Sequence, residues 1–261
     1  MRRVAGVTVA AVVGAVVVGV VLAACTGSGP EPGPSPSGSA SPTTTAGPPA
    51  GPSSSSGGTP APAALTPEVP PAPRFAATTG PITPELAQRM APSWRAGCPV
   101  PLDHLRYVTV AYHGFDGAVQ TGELVVNADA VETITRVFRT LFDADYPVRS
   151  MRLVDDFGAD DDASMAADNT SGFNCRVVAG TRTWSEHAYG RAIDLNPVEN
   201  PYVDGGRVVP SVGAGFAARP DLPGVVHAHD VVVRAFAREG WSWGGSWAGP
   251  RDYQHFSATG R

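Results

Sequence analysis

The chain has 261 residues, of which 43% are hydrophobic and 16% charged, with a net charge of −5 and no lysine. An acidic balance without any basic run excludes a nucleic-acid binder held by phosphate contacts. The missing lysine excludes Schiff-base chemistry and Walker A phosphate loops. Arg2 and Arg3 precede an uncharged Val- and Ala-rich run from Val4 to Ala24. It ends in Leu22-Ala23-Ala24-Cys25, and small residues before the break predict a secretory signal over residues 1–24. In residues 26–74, 22 of 49 positions are Pro or Gly. Such a stretch buries too little apolar surface to offset its ordering entropy, so 25–74 reads as a disordered tether. Residues 75–261 remain, enough for one domain with its own core, expected to be a monomer.

Within that domain, Leu105 to Tyr112 alternates and is rich in Val and Tyr, which predicts a strand, and Gly122 to Asn127 predicts another. From Asp129 to Asp143 the residues Val131, Ile134, Val137, Phe138, Leu141 and Phe142 fall on one helical face, with Asn127 or Asp129 as the cap. Pro147 stops that helix, and Val148 to Val154 reads as a third strand. Residues 155–172 are polar and read as a loop. Ala192 to Leu195 is a short strand, and His229 to Glu239 a helix ending at Gly240. Helices and strands mix without regular alternation, which gives an α+β class. Cys98 and Cys175 form an even pair on a chain carrying an export signal, so a disulfide is expected.

Two segments carry the chemistry. One is Ser185-Glu186-His187-Ala188-Tyr189-Gly190-Arg191-Ala192-Ile193-Asp194. The other runs from Trp243-Gly244-Gly245-Ser246-Trp247 to Asp252-Tyr253-Gln254-His255-Phe256. A catalytic zinc site needs three imidazole or carboxylate ligands, an open position and a nearby carboxylate that is not a ligand. His187, Asp194 and His255 supply such ligands, and Asp252 such a carboxylate. Gly190 and Ala192 would let the backbone pass close to the site. Taken alone, the same residues also read as surface polar groups. Gly240-Trp241-Ser242-Trp243-Gly244 matches a serine-hydrolase elbow, but Gly245 and Pro250 oppose the helix that motif requires. His227 and His229 stand at the start of a helix and point to different sides.

Ser-x-His-x-x-Gly-x-Ala-x-Asp followed by Trp-Gly-Gly-x-Trp and Asp-x-x-His-Phe resembles the VanY-type D-alanyl-D-alanine carboxypeptidases. Those zinc peptidases also include L-alanyl-D-glutamate endopeptidases. The resemblance runs from about Pro99 to Phe256. It implies a compact α+β domain in which a central antiparallel sheet holds the zinc and helices pack outside, as in hedgehog-like domains. It implies one zinc on His187, Asp194 and His255, with Asp252 as general base. Asp rather than Glu at 252 favours cleavage inside the stem peptide. The family's oxyanion-binding Arg falls on Arg176, two places later than in the commonest form, with Arg182 in reserve. A structural ion pair with the acidic loop 155–162 is the rival reading for Arg176. Cys25 resembles the lipidated cysteine of bacterial lipoproteins, which implies a chain anchored on the extracellular face of the cytoplasmic membrane and acting on peptidoglycan peptides. The alternative is a non-catalytic cell-wall-binding module of the same fold.

Overall fold

The computed structural model describes residues 73–261. The signal segment 1–24, Cys25 and nearly all of the tether lie outside the described residues. Two antiparallel strands of nine residues form the longest pairing, β2 (Leu105–His113) with β3 (Val119–Asn127), and β1 (Ala77–Pro81) adds to the free edge of β2. The period of two sorts their side chains onto two faces. Val108, Val110, Tyr112, Leu124 and Val126 enter the main core; Leu105, Tyr107 and Val125 pack on the other side against Met90, Leu153, Phe173 and Cys175. Helix α1 (Pro84–Arg89) lies between β1 and β2 in the chain, and its Arg89 binds Glu123 of β3 at 2.7 Å.

Helix α2 (Val131–Asp143) presents the expected face: Ile134, Val137, Phe138, Leu141 and Phe142 are all buried. Each contributes roughly 1.5–3 kcal/mol by leaving water. Asn127 caps a short 3-10 turn, Ala128–Ala130, that leads into the helix, while Asp129 turns away to pair with Arg191. Helix α4 (Val231–Arg238) packs on α2, capped by the Asp230 side chain on the Val233 amide at 2.9 Å. Gly240 follows it with φ +78°.

The expected strand 148–154 shrinks to β4 (Ser150–Met151), which pairs in parallel with β5 (Asn169–Thr170). The Asn169 side chain occupies both main-chain groups of Arg152, accepting from its N–H at 2.8 Å and donating to its carbonyl at 3.0 Å. A ladder partner is thereby displaced, and the chain turns into a 3-10 segment at Val154–Phe157. Residues 155–172 are not simply a loop either. Asp160 caps α3 (Asp161–Ala166) by accepting from the Ala163 amide at 3.0 Å, and three consecutive acidic groups suit that helix start.

The C-terminal half supplies β6 (Ala192–Asp194), the hairpin β7 (Tyr202–Asp204) and β8 (Arg207–Val209), then β9 (Ser242–Trp243), β10 (Arg251–Asp252) and β11 (His255–Ser257). Strand order is β6-β11-β9 in one antiparallel sheet and β10-β7-β8 in another. The architecture is mixed α+β, but one continuous central sheet is not what forms. Among the described residues the strip Ser171–Phe173 bridges the β1-β2-β3 and β6-β11-β9 sheets through main-chain hydrogen bonds. There Phe173 N–H donates to Val125 O at 2.9 Å, and Ser171 and Asp194 exchange both main-chain bonds at 3.0 Å. Gly172 sits in this strip because a Cβ would stand 2.7 Å from Val125 O. Cys98 and Cys175 are joined by a disulfide, with Cα atoms 5.9 Å apart. Closing a loop of that length is worth about 4 kcal/mol in the chain-entropy account. Among the described residues no helix is long and apolar enough to cross a membrane.

The tight approach at Gly190 is to β3 rather than to the site. Its carbonyl accepts from Asn127 N at 2.8 Å, its φ is +65°, and a Cβ would lie 2.5 Å from that same nitrogen. Gly190→Ala should therefore lower the unfolding free energy by roughly 2–4 kcal/mol, from the left-handed penalty plus overpacking against backbone. Urea denaturation measures this, and a shift under about 0.5 kcal/mol, the scale of an indifferent surface change, would contradict the packing.

Candidate metal centre and active site

Asp194 and His255 are directly opposite one another in the β6–β11 ladder. Their neighbours Ile193 and Phe256, also opposite, point into the core, where Phe256 stacks on Phe236 at 4.1 Å. Period two therefore sends Asp194 and His255 to the other face. His187 arrives from a 3-10 turn, Glu186–Tyr189, capped at its start by Ser185 and closed by Gly190. The three side chains are buried and offer ligand atoms all within 4.8 Å of one another. His187 Nε2 lies 3.1 Å from Asp194 Oδ2, His255 Nδ1 lies 3.0 Å from Asp194 Oδ1, and the two nitrogens are 3.2 Å apart.

The far nitrogen of each ring settles its tautomer. His187 Nδ1 is 2.6 Å from Gly172 O, and His255 Nε2 is 2.9 Å from Arg261 O. Neither Gly172 O, a carbonyl oxygen, nor Arg261 O, a main-chain oxygen of the last residue, has a hydrogen to donate, so both of these ring nitrogens carry one. In neutral rings, His187 Nε2 and His255 Nδ1 are then bare lone pairs facing each other and a carboxylate. Such a cluster is repulsive without a cation among its members, and its donor set of two imidazoles and one carboxylate suits zinc. A proton is one such cation. Burial works against charge on His255, yet the hydrogen bond and charge of Asp194 outweigh it and push the imidazole up to about 9. Burial likewise opposes ionisation of Asp194, but the imidazoles, His187 foremost, hold its carboxyl far below the ordinary range.

Asp252 stands at the same cleft on β10. The Oδ1 atom is buried and has no hydrogen-bond partner among the described residues. Burial, helped by the charge of Asp194, raises this carboxyl to about 7. The Trp-Gly-Gly segment explains how it is seated. A Cβ on Gly244 would meet Asp252 O at 2.6 Å, and one on Gly245 would meet the Trp243 ring at 2.2 Å. Arg176 lines the cleft too. Its Nη2 binds Asp161 Oδ2 at 2.7 Å, while its buried Nε has no partner. The ion pair with the acidic segment and a place on the cleft thus coexist. Arg182 is exposed and is not part of the cleft lining. Ser242 is exposed on β9, and neither His227 nor His229 reaches the cleft. Trp243 belongs to the core and Trp247 to the cleft wall, 5.8 Å from the His255 ring.

The cleft measures about 640 Å³. Its walls include Val178, Ala179, Thr181, Thr183 and Trp184 and, from the β7–β8 hairpin, Tyr202, Arg207 and Val209. Sequence reasoning missed that hairpin, although Gly205-Gly206 between two short apolar stretches is a hairpin signal. It also missed the Gly172 and Arg261 main-chain oxygens, which leave no mark in side-chain identity.

The purified chain should bind one zinc ion. His187→Ala and His255→Ala should each lose it, since removal of one of three ligands leaves the remaining lone pairs without a cation-sized cage. Metal analysis after dialysis reads the result, and full zinc content in both variants would contradict the ligand set.

A family model described as D-alanyl-D-alanine carboxypeptidase matches residues 179–258. No curated protein and no solved structure matches the chain. The matched segment contains His187, Asp194, Asp252 and His255, and leaves Arg176 just outside. The match supports a hydrolytic peptidase. Residues 179–258, and with them the whole convergent His-Asp-His cluster, are thus similar to the D-alanyl-D-alanine carboxypeptidase family.

Proposed function

We propose that the chain is a zinc peptidase that hydrolyses amide bonds of peptidoglycan stem peptides, working outside the cytoplasmic membrane on a lipid anchor at Cys25. The observation that carries the reading is the meeting, in one cleft, of three converging ligand atoms and a buried carboxylate oxygen with no hydrogen-bond partner among the described residues. His187 Nε2, His255 Nδ1 and Asp194 would hold the ion. Zinc, when bound, supplies a Lewis acid that lowers the pKa of a water and polarises a carbonyl.

The chain's own groups do the rest. Asp252 Oδ1 takes the proton of the attacking water, and Asp252 returns it to the leaving amine as the amide C–N bond breaks. Burial raises the proton affinity of Asp252 above that of an exposed carboxylate, which suits a base. Arg176, held by Asp161, donates to the carbonyl oxygen as negative charge develops there. Gly172 and Arg261 hold the imidazoles in the tautomers that bind. No covalent intermediate is required. The cleaved bond is either the terminal D-Ala–D-Ala amide, as the matched family's description names, or an internal L-Ala–D-Glu amide, as Asp at 252 favours. Mass spectrometry of muropeptides digested with the protein distinguishes the two by the mass lost.

Asp252→Asn should keep both fold and zinc while lowering kcat roughly 100-fold or more, the usual worth of a general base. Metal analysis beside a rate assay reads both quantities. Loss of zinc in this variant would make Asp252 a ligand and overturn the division of roles.

A further inference from the structure

The β7–β8 hairpin brings one unused charge to the cleft. Asp252 is the register partner of Tyr202, and Tyr202 is the partner of Val209. Directly opposed residues project from the same face of a sheet, and so does the residue two places along. Asp252, Tyr202, Val209 and Arg207 therefore share one face, and all four line the cleft. The other arginine side chains there are differently placed. Arg176 is engaged by Asp161 at 2.7 Å. Arg261 meets the site through its backbone oxygen, on His255. Arg207 lies across the hairpin from Asp204, yet among the described residues no acidic group stands within ion-pair distance of its guanidinium.

We propose that Arg207 is a specificity-determining residue that binds a free carboxylate of the substrate beside the scissile amide. This rests on the peptidase reading and deepens it. A guanidinium presents a planar fork that matches a carboxylate with two hydrogen bonds, and it has no competing partner here. The distance suits the task. Strands lie about 4.8 Å apart, so the Val209 backbone stands about 10 Å from that of Asp252. Arg207 stands two residues further along that strand, on the same face and lining the same cleft, so its charge is a few peptide units of about 3.5 Å from Asp252. A carboxylate at that distance is either the C-terminus of the peptide or an α-carboxyl branching from an internal γ-linked D-Glu. The two share the same chemistry and call for separate substrates.

The test uses the full-length chain with zinc and three synthetic stem pentapeptides. One has both carboxyls free, one has its C-terminus amidated, and one has its D-Glu α-carboxyl amidated. The wild type should favour the free acid over one of the two amides by roughly 10-fold or more in kcat/KM, the worth of a charge-assisted pair. Whichever amide is disfavoured identifies the source of the carboxylate. Arg207→Gln should erase that preference by raising KM for the free acid, with kcat little changed, and Arg207→Lys should restore part of it. Preference retained in the Gln variant, or equal cleavage of all three peptides by the wild type, would overturn the proposal. A wild type that cleaves none of them would overturn the peptidase reading instead. Peptide binding, followed by tryptophan fluorescence from Trp184 and Trp247 in the cleft wall, then still decides the subsite. A Kd for the free acid weakened about 10-fold or more in Arg207→Gln would support it, and an unchanged Kd would remove it.

Discussion

Two imidazole lone pairs and a carboxylate aimed at one point, with no hydrogen among them in the neutral rings, form the constraint around which this domain is arranged. The hydrogens are elsewhere because two main-chain oxygens hold them, Gly172 O on His187 and Arg261 O on His255. A cation is then not an accessory to the cluster but the term that makes it favourable. The raised proton affinity of His255 and the depressed carboxyl of Asp194 express the same electrostatic demand. A divalent cation would answer it with a higher charge, and the donor set is of the type zinc prefers.

The scaffold can be followed outward from those oxygens. Gly172 lies in a strip clamped between β3, through Val125, and β6, through Ser171 and Asp194. The β2–β3 hairpin, which packs core residues on both faces, therefore bears on the position of the His187 imidazole through Gly172. Asn127, at the end of β3, fixes Gly190 and so closes the turn that carries His187, also through its side chain on Tyr189 O at 3.0 Å. On the other side, Phe256 anchors His255 to the aromatic core, and the glycines after Trp243 allow Asp252 to approach closely. The disulfide at Cys175 fixes the backbone next to Arg176. Packed elements thus hold the three cluster side chains and Arg176, while the β7–β8 hairpin lines the cleft.

Much of this was legible in the sequence where a period or a spacing carried it. The apolar face of α2 followed from 3.6-residue periodicity, and β2 and β3 from alternation in Val and Tyr. The spacing of His187, Asp194 and His255 was informative as a pattern, although only folding could show that their atoms meet. Elsewhere local chemistry overrode the pattern. The apolar stretch 148–154 reads as a strand, but the Asn169 side chain takes the main-chain groups of Arg152 that a ladder would use. The acidic run at 160–162 reads as a solvated loop, but Asp160 caps a helix and Asp161 binds Arg176. Strand β1, Ala77–Pro81, is mostly exposed and has no apolar alternation to betray it. The oxygens that set the tautomers belong to the backbone, and no residue type encodes them.

Long-range nitrogen–proton NMR of the histidine rings tests the central claim most directly, since it reads which ring nitrogen carries hydrogen. In the zinc-loaded protein, His187 should be protonated on Nδ1 and His255 on Nε2, so that the two rings show opposite tautomers with their bare nitrogens bound to the metal. The same tautomer on both rings, or ring spectra unchanged between zinc-loaded and chelator-treated protein, would contradict the account.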